Sequence, residues 1–299
     1  MSKISVVINT RNEEENIEQA IKSVKSFADE IVVVDMKSSD NTVKIAKKLG
    51  AKVYDHEPMG YVEPARNFAI SKATGEWILL LDADEEIPKS LAKRITDEIR
   101  KNNADYFAIP RKNIVFRKWI KHSRWWPDYN IRLFKKGRVS WSEIIHSVPE
   151  TTGKGLDFEP VETNAILHHN YQSIEQYIER LNRYTSVQAK NLIDEKYKFH
   201  WYDLIEKPAE EFLSRYFAGQ GYRDGVHGLA LAMLQAFSEL VLYLKIWQHK
   251  KFKVKEVGTK KVIKKMRDVQ SDFSYWQADT LIKEGAGFTE KLKRKFKLR

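Results

Sequence analysis

The 299-residue chain is 42% hydrophobic and 31% charged, which fits a globular protein of one large domain, or a domain with an extension, and excludes a disordered tract. It has no cysteine, which rules out a disulfide framework, a thiolate metal site and a cysteine nucleophile. A formal net charge of +11 points to an anionic partner: a phosphorylated substrate, an anionic membrane surface or nucleic acid.

The N-terminal apolar run is too short for a signal peptide and lacks a small-residue cleavage site, so Ile4–Ile8 is read as a first strand. A polar turn, Asn9-Thr10-Arg11-Asn12-Glu13, follows, and then Ile17, Ala20, Ile21, Val24 and Phe27 recur at helical spacing. Ile31–Val34 is a β-branched run of the kind buried in parallel sheets, ending at Asp35. Ser39 or Asp40 is expected to cap a second helix that stops at Gly50. Lys52–Tyr54 reads as a third strand, Pro64–Ala73 as a third helix and Trp77–Leu81 as a fourth strand. This alternation predicts an α/β domain with a mostly parallel sheet flanked by helices. Residues 105–170 read as mixed strands and aromatic-rich loops, and from about Ser173 the pattern is helical.

Ligands in such sheets bind at the carboxyl ends of the strands. Each strand here runs into polar residues: Asn9 and Glu13 after the first, Asp35 after the second, Asp82 and Asp84 after the fourth. Asp82-Ala83-Asp84 presents two carboxylates suited to Mg²⁺ or Mn²⁺, hard cations shared with substrate phosphates. Glu85 and Glu86, taken alone, fit an acidic helix start.

These segments, together with Ser39-Asp40-Asn41-Thr42 and Ala65-Arg66-Asn67, resemble family 2 glycosyltransferases of the GT-A fold. Weaker likeness runs through Trp126-Pro127-Asp128-Tyr129, Arg132-Leu133-Phe134 and Ile145-His146 to Gly221-Tyr222-Arg223-Asp224-Gly225, and resembles the lipopolysaccharide inner-core subgroup. The resemblance implies a GT-A catalytic domain over 1–172, with a nucleotide-sugar-binding half (1–110) and an acceptor-side half (111–172), and a helical, basic region over 173–299. It implies inverting transfer of a hexose from a nucleotide-diphosphate donor, expected to be a UDP-sugar, to a glycolipid, saccharide or lipopolysaccharide-core acceptor. By the same likeness Asp35 would bond the base, Thr10 and Glu13 would lie near the nucleoside, and Arg66 would face the diphosphate. Asp82 would reach the ribose and metal, Asp84 would ligate the metal, and His146 would complete its shell or touch the diphosphate, a purely structural histidine being the alternative. Asp35-Met36-Lys37-Ser38 departs from the family's usual Asp-Asp-Gly-Ser after the first Asp, which bears on base selectivity.

Inverting transfer needs a base for the acceptor hydroxyl. Many relatives carry His-Glu where this chain has His146-Ser147, leaving Asp128 and Glu143 as equal candidates. Trp125, Trp126 and Arg132 are assigned to the acceptor side, with core packing or ion pairing as the plainer alternatives. His168-His169 is ambiguous in the same way as His146.

Val226–Trp247 is strongly apolar yet holds His227, Gln235, Glu239 and Lys245, which suits a helix lying in a membrane interface or docked on protein better than a lone span. With the Lys-rich stretches that follow, it predicts a cytoplasmic protein held peripherally at an anionic inner membrane face, a helical bundle with a solvated basic face or a dimer contact through the C-terminal helices being the alternatives. Two rival functions remain. A nucleotidyltransferase would carry a glycine-rich basic loop after its first strand, which Asn9–Glu13 is not. A nucleic-acid-binding protein would line a groove with basic and aromatic residues together, whereas here they lie mostly apart.

Overall fold

A computed structural model describes residues 2–58, 63–141, 149–253 and 256–296. In chain order its elements begin with β1 (Ile4–Thr10), α1 (Ile17–Val24), β2 (Glu30–Asp35), α2 (Thr42–Lys48), β3 (Lys52–Asp55), α3 (Glu63–Lys72), β4 (Trp77–Asp82), β5 (Glu85–Glu86) and α4 (Lys89–Lys101). They continue with β6 (Tyr106–Val115), β7 (Lys118–Trp119), β8 (Asp128–Lys135), β9 (Val139–Ser140), β10 (Glu150–Thr151), β11 (Gly155–Asp157) and β12 (Ile166–Tyr171). The last helices are α5 (Ile174–Asp194), α6 (Asp203–Leu213), α7 (Val226–His249), α8 (Thr259–Lys283) and α9 (Phe288–Phe296). The chain divides into two compact units: a sheet unit of Met1–Ile114 with Trp126–Asn170, and a helical unit of Val115–Trp125 with Tyr171–Arg299.

The main sheet of the first unit has strand order β3-β2-β1-β4-β8-β6-β12-β5. It is parallel through β3, β2, β1 and β4 and turns antiparallel where β8 joins β4 and β6 joins β8. This is the expected α/β architecture. Successive strand residues point to opposite faces, and both faces are filled. Val6, Ile8, Leu79 and Leu81 pack with Ile17, Ile21 and Val24 of α1 and Leu91 and Ile95 of α4. Val7, Ile78 and Leu80 pack on the other side with Ala69 and Ile70 of α3 and with Phe134 and Trp141. The continuous apolar runs of β1 and β4 are what a sheet covered on both sides requires.

Local signals shape several element ends, the expected Asp40 cap among them. Asp40 accepts from the Thr42 backbone N–H at 3.0 Å at the start of α2. Asn102 (φ 50°) ends α4 in the left-handed region, its N–H returning to the Glu98 carbonyl. Gly75 precedes β4 where a Cβ would lie 2.8 Å from the Ser5 backbone nitrogen, so only glycine lets the two strands approach. Glu85 and Glu86 form a strand, not a helix start, and pair antiparallel with Leu167 and His168 of β12.

In the helical unit, α5 begins at Ile174 with the Ser173 hydroxyl accepting from the Gln176 N–H. Helix α7 packs against α5 and α6, and α8 against α6 and α9. Segment 115–125 leaves the sheet unit's chain to join these helices through buried Asp224. The Asp224 carboxylate accepts from the His122 N–H at 2.9 Å and the Lys121 N–H at 3.2 Å, while its backbone carbonyl takes the Lys118 ammonium at 2.6 Å. Gly228 of α7 presses on the same turn, where a Cβ would sit 1.8 Å from the Gly221 carbonyl oxygen. The Gly221–Gly225 motif is therefore a clamp for this segment.

Candidate functional site

Parallel register sets the strand-end residues side by side. Thr10 lies opposite Asp35 across β1 and β2, and Asn9 lies opposite Asp82 across β1 and β4. Asp35 is buried, and its carboxylate accepts from the Ser38 backbone N–H at 2.9 Å and from the Ser38 hydroxyl at 2.5 Å. Both amide atoms of Asn9 and the Thr10 hydroxyl are buried without a hydrogen-bond partner. Such orphaned polar atoms are uncommon in folded interiors and mark a place for a ligand's polar groups. Glu13 sits at the start of α1, its carboxylate accepting from Asn16 at 2.7 Å and its N–H donating to the Thr42 hydroxyl at 2.8 Å.

Beyond β4 a chain of charges runs through the sheet unit. Asp82 accepts from Arg132 at 2.5 Å and from Arg66 at 3.4 Å. Burial alone would push its carboxyl up, but the Arg132 and Arg66 charges outweigh burial and hold it well below the usual carboxylate range. The Arg132 guanidinium also donates to Glu85 at 2.7 Å. Burial would push Arg132 down, yet Asp82 and Glu85 together raise it above its ordinary value. Glu85 is fully buried and accepts the Asp82 backbone N–H at 2.9 Å. Its other neighbour, Arg111, lies 3.5 Å away and pairs with Asp128 at 2.6 Å.

The chain continues to the second acid of the motif. Asn113 donates to Asp128 at 3.1 Å and bonds His168 Nδ1 at 2.6 Å through its carbonyl oxygen. With that oxygen as acceptor, His168 Nδ1 is the donor, and Nε2 lies 3.6 Å from Asp84. The backbone N–H of His169 donates to the Asp84 carbonyl at 2.9 Å, and its ring faces Glu86 at 2.8 Å.

The structure thus brings Thr10, Asp35, Arg66, Asp82, Asp84, Asp128 and Arg132 into one unit. Glu143 and His146 lie outside the described residues. Arg132, expected on the acceptor side, is 2% exposed and faces Asp82 and Glu85. Trp125 packs in the helical unit against the cluster of Ile120, Tyr177, Leu181 and Leu231, and Trp126 opens the sheet unit's second stretch, half-buried. Trp141 is a core residue whose backbone is locked by Asn67 at 2.6 and 3.0 Å, with the Arg66 guanidinium over its ring. Sequence reasoning did not assign Arg111, Asn113 or Glu85, because the partners that define them are distant in the chain. Asn9 was visible as a strand-end residue without an assigned role.

Among the described residues no group of three or more His, Asp or Glu side chains is assembled to hold a metal ion. Asp82 is committed to two arginines. Asp84 with His168 Nε2 offers one carboxylate oxygen and one imidazole nitrogen, a partial set that fits a hard divalent cation completed by substrate phosphate and water.

Known proteins resemble this chain over most of its length. The model of the family described as Glycosyl transferase family 2 matches residues 5–163. An uncharacterized glycosyltransferase of Rickettsia typhi is 35% identical over 255 residues, covering 82% of this chain and 87% of the relative. The lipopolysaccharide core biosynthesis glycosyltransferase LpsC of Rhizobium meliloti is 25% identical over 84% of this chain and 94% of its own length. Among solved structures, residues 1–349 of S. aureus TarS align over 81% of this chain and 91% of that one, at 18% identity and a TM-score of 0.42.

Proposed function

The chain belongs to glycosyltransferase family 2, and on that premise we propose that it moves a hexose, with inversion, from a nucleotide-diphosphate sugar to a saccharide acceptor of the lipopolysaccharide-core class. The observation that carries the donor side is the set of orphaned polar atoms of Asn9 and Thr10 beside Asp35 and Asp82. A nucleoside placed at that strand edge would meet Thr10 and Asp35 from one side of the sheet and Asn9 and Asp82 from the other: Asp35 takes the base N–H, Thr10 and Glu13 border the nucleoside, and Asp82 faces the ribose. A UDP-sugar is the donor this assignment favours. The likeness to LpsC, over 84% of this chain, supports the acceptor class.

Asp84, seconded by His168, is the residue that would hold Mg²⁺ or Mn²⁺, which supplies neutralising charge for the diphosphate as it leaves. Arg66 adds a fixed positive charge on the same side. In the transfer step the acceptor hydroxyl oxygen forms a bond to the anomeric carbon while the bond to the diphosphate oxygen breaks. The hydroxyl proton passes to a carboxylate, and nucleoside diphosphate departs. Asp128 suits the base role because Arg111 and Asn113 anchor its Oδ2, and Oδ1, which accepts only a long 3.3 Å bond from Asn130 among the contacts described, is the oxygen that would take the proton.

Turnover of UDP-, GDP- and dTDP-sugars, with and without Mn²⁺, tests this reading. Metal-stimulated hydrolysis of at least one donor is expected, and no donor binding or turnover under any condition refutes it. Asp84→Ala should lower metal-dependent turnover by about 10³-fold with an unchanged circular dichroism spectrum. Comparing Asp128→Asn with Glu143→Gln decides the base: the variant with the larger kcat loss at unchanged donor affinity identifies it.

A further inference from the structure

The outward face of α7 is apolar and carries no charge. Val226 is 80% exposed, Leu229 37%, Met233 59% and Phe237 45%. Their spacing of three and four residues puts them on one stripe, which half-buried Leu240 and Leu244 continue. The charged groups of the helix point elsewhere. Lys245 donates to Asn182, Thr185 and Ser186 of α5. Glu239 is turned into the bundle, where burial and the nearby Glu211 raise its carboxyl above the usual range.

Only 28% of the most apolar 18-residue window of α7 is buried, so this is not an ordinary core helix. Nor does it suit a membrane span, because its other face is committed to protein through buried Leu231, Leu242, Tyr243 and Ile246. A soluble surface rarely leaves such a stripe without a partner.

We propose that the outer face of α7 seats the protein on an anionic lipid bilayer, the helix lying in the plane of the interface. Charge decides between lipid and a second copy of the chain. Lys and Arg outnumber Asp and Glu in the helical unit by more than the whole +11 excess, and the sheet unit is slightly acidic. Two such unit surfaces repel each other and are drawn to anionic head groups. Exposed apolar and basic side chains stand together from where α7 ends. Phe252 is 55% exposed between exposed Lys251 and Lys253, and on α8 Ile263 and Met266, 44% and 55% exposed, stand among Lys264 and Arg267. That is the composition of an interfacial anchor, apolar groups for the acyl boundary and cations for the head groups. This surface belongs to the helical unit alone and is independent of the donor and metal assignments.

The test is co-sedimentation of the full-length protein with phosphatidylcholine vesicles containing or lacking phosphatidylglycerol. Binding should require the anionic lipid, weaken at high salt, and fall by at least about tenfold in Met233→Asp/Phe237→Asp. Unchanged vesicle binding by that variant overturns the proposal. So does a wild-type dimer that the variant converts to monomer, which would assign the stripe to a second copy. Should the double variant misfold, the absence of native cysteine permits Met233→Cys labelled with a polarity-sensitive dye. A blue shift on adding anionic vesicles supports the docking face, and no shift overturns it.

Discussion

The sheet unit and the helical unit solve opposite problems. The sheet unit holds every one of the largest fully buried side chains, and among the described residues only Tyr129 and Val161 of its large apolar side chains are exposed. It brings charge inside instead: Glu85, Asp35 and Arg132 are all buried. The helical unit keeps its cations outside and leaves apolar side chains exposed on α5, α7, α8 and α9. The first pattern belongs to a catalytic scaffold, in which buried charge holds a site in one geometry. The second is what the interfacial docking face proposed above would need.

If the buried charges of the sheet unit are mutually dependent, removing one should be costly. Arg132→Ala leaves Glu85 buried without its closest cation and should lower stability by about 3–5 kcal/mol, measured by urea unfolding. Arg132→Met combined with Glu85→Gln should recover much of that loss, because the stranded charge is gone. A loss below about 1 kcal/mol for the single variant would mean the pair behaves like a surface ion pair, and the contrast between the units would fail at its strongest point.

In the helical unit the largest expected effect comes from Asp224, a buried polar clamp on segment 115–125 that acts beside the bonds between Ser123 and Arg215. Asp224→Ala strips the acceptor from the Lys121 and His122 N–H groups and should cost about 2–3 kcal/mol. It should also speed proteolysis within 115–125 without altering donor binding. Unchanged proteolysis would show that the segment is held by other contacts.

A smaller effect with a pH signature is expected at Glu30, whose carboxylate accepts from Ser5 at 2.7 Å, Thr74 at 2.8 Å and Lys52 at 2.7 Å. Burial pushes its carboxyl up, but the bonds from Lys52, Ser5 and Thr74 outweigh burial and lower it from 4.5 to about 2. Because the folded value is depressed, its contribution is present in full above pH 4.5 and is lost as pH falls toward about 2. Glu30→Gln should therefore cost about 2 kcal/mol at pH 7, and its gap from the wild type should close across that window. A gap independent of pH would assign the effect to packing.

How legible these features were depended on chain separation. The β-branched run of β2 and the apolar run of β4 announce strands covered on both sides, and their terminal acids announce a ligand edge. Those signals are local. Glu85 is different: its neighbours in sequence suggest a helix start, and its role depends on Arg132, 47 residues away. His168 gains meaning only from the register that sets it opposite Glu85 and near Asp84. Segment 115–125 reads as part of the acceptor-side half, yet it joins the helical unit through Asp224, 102 residues from His122. Periodicity reports what one element buries, and it does not report which distant charge will meet it.

The smallest expected effect is the sharpest test of the helical unit's side of the comparison. Met233 is 59% exposed, so if the α7 stripe truly faces outward, Met233→Gln should change unfolding stability by no more than about 0.5 kcal/mol. A core methionine replaced by a polar side chain would instead cost about 2–5 kcal/mol. A loss in that range would mean that the stripe is covered within the folded protein in solution. The helical unit would then be an ordinary bundle with a hidden core, and its exposed apolar face would need no membrane to explain it. A neutral result leaves Met233 without a role in folding and the apolar face open to contact with something outside the chain.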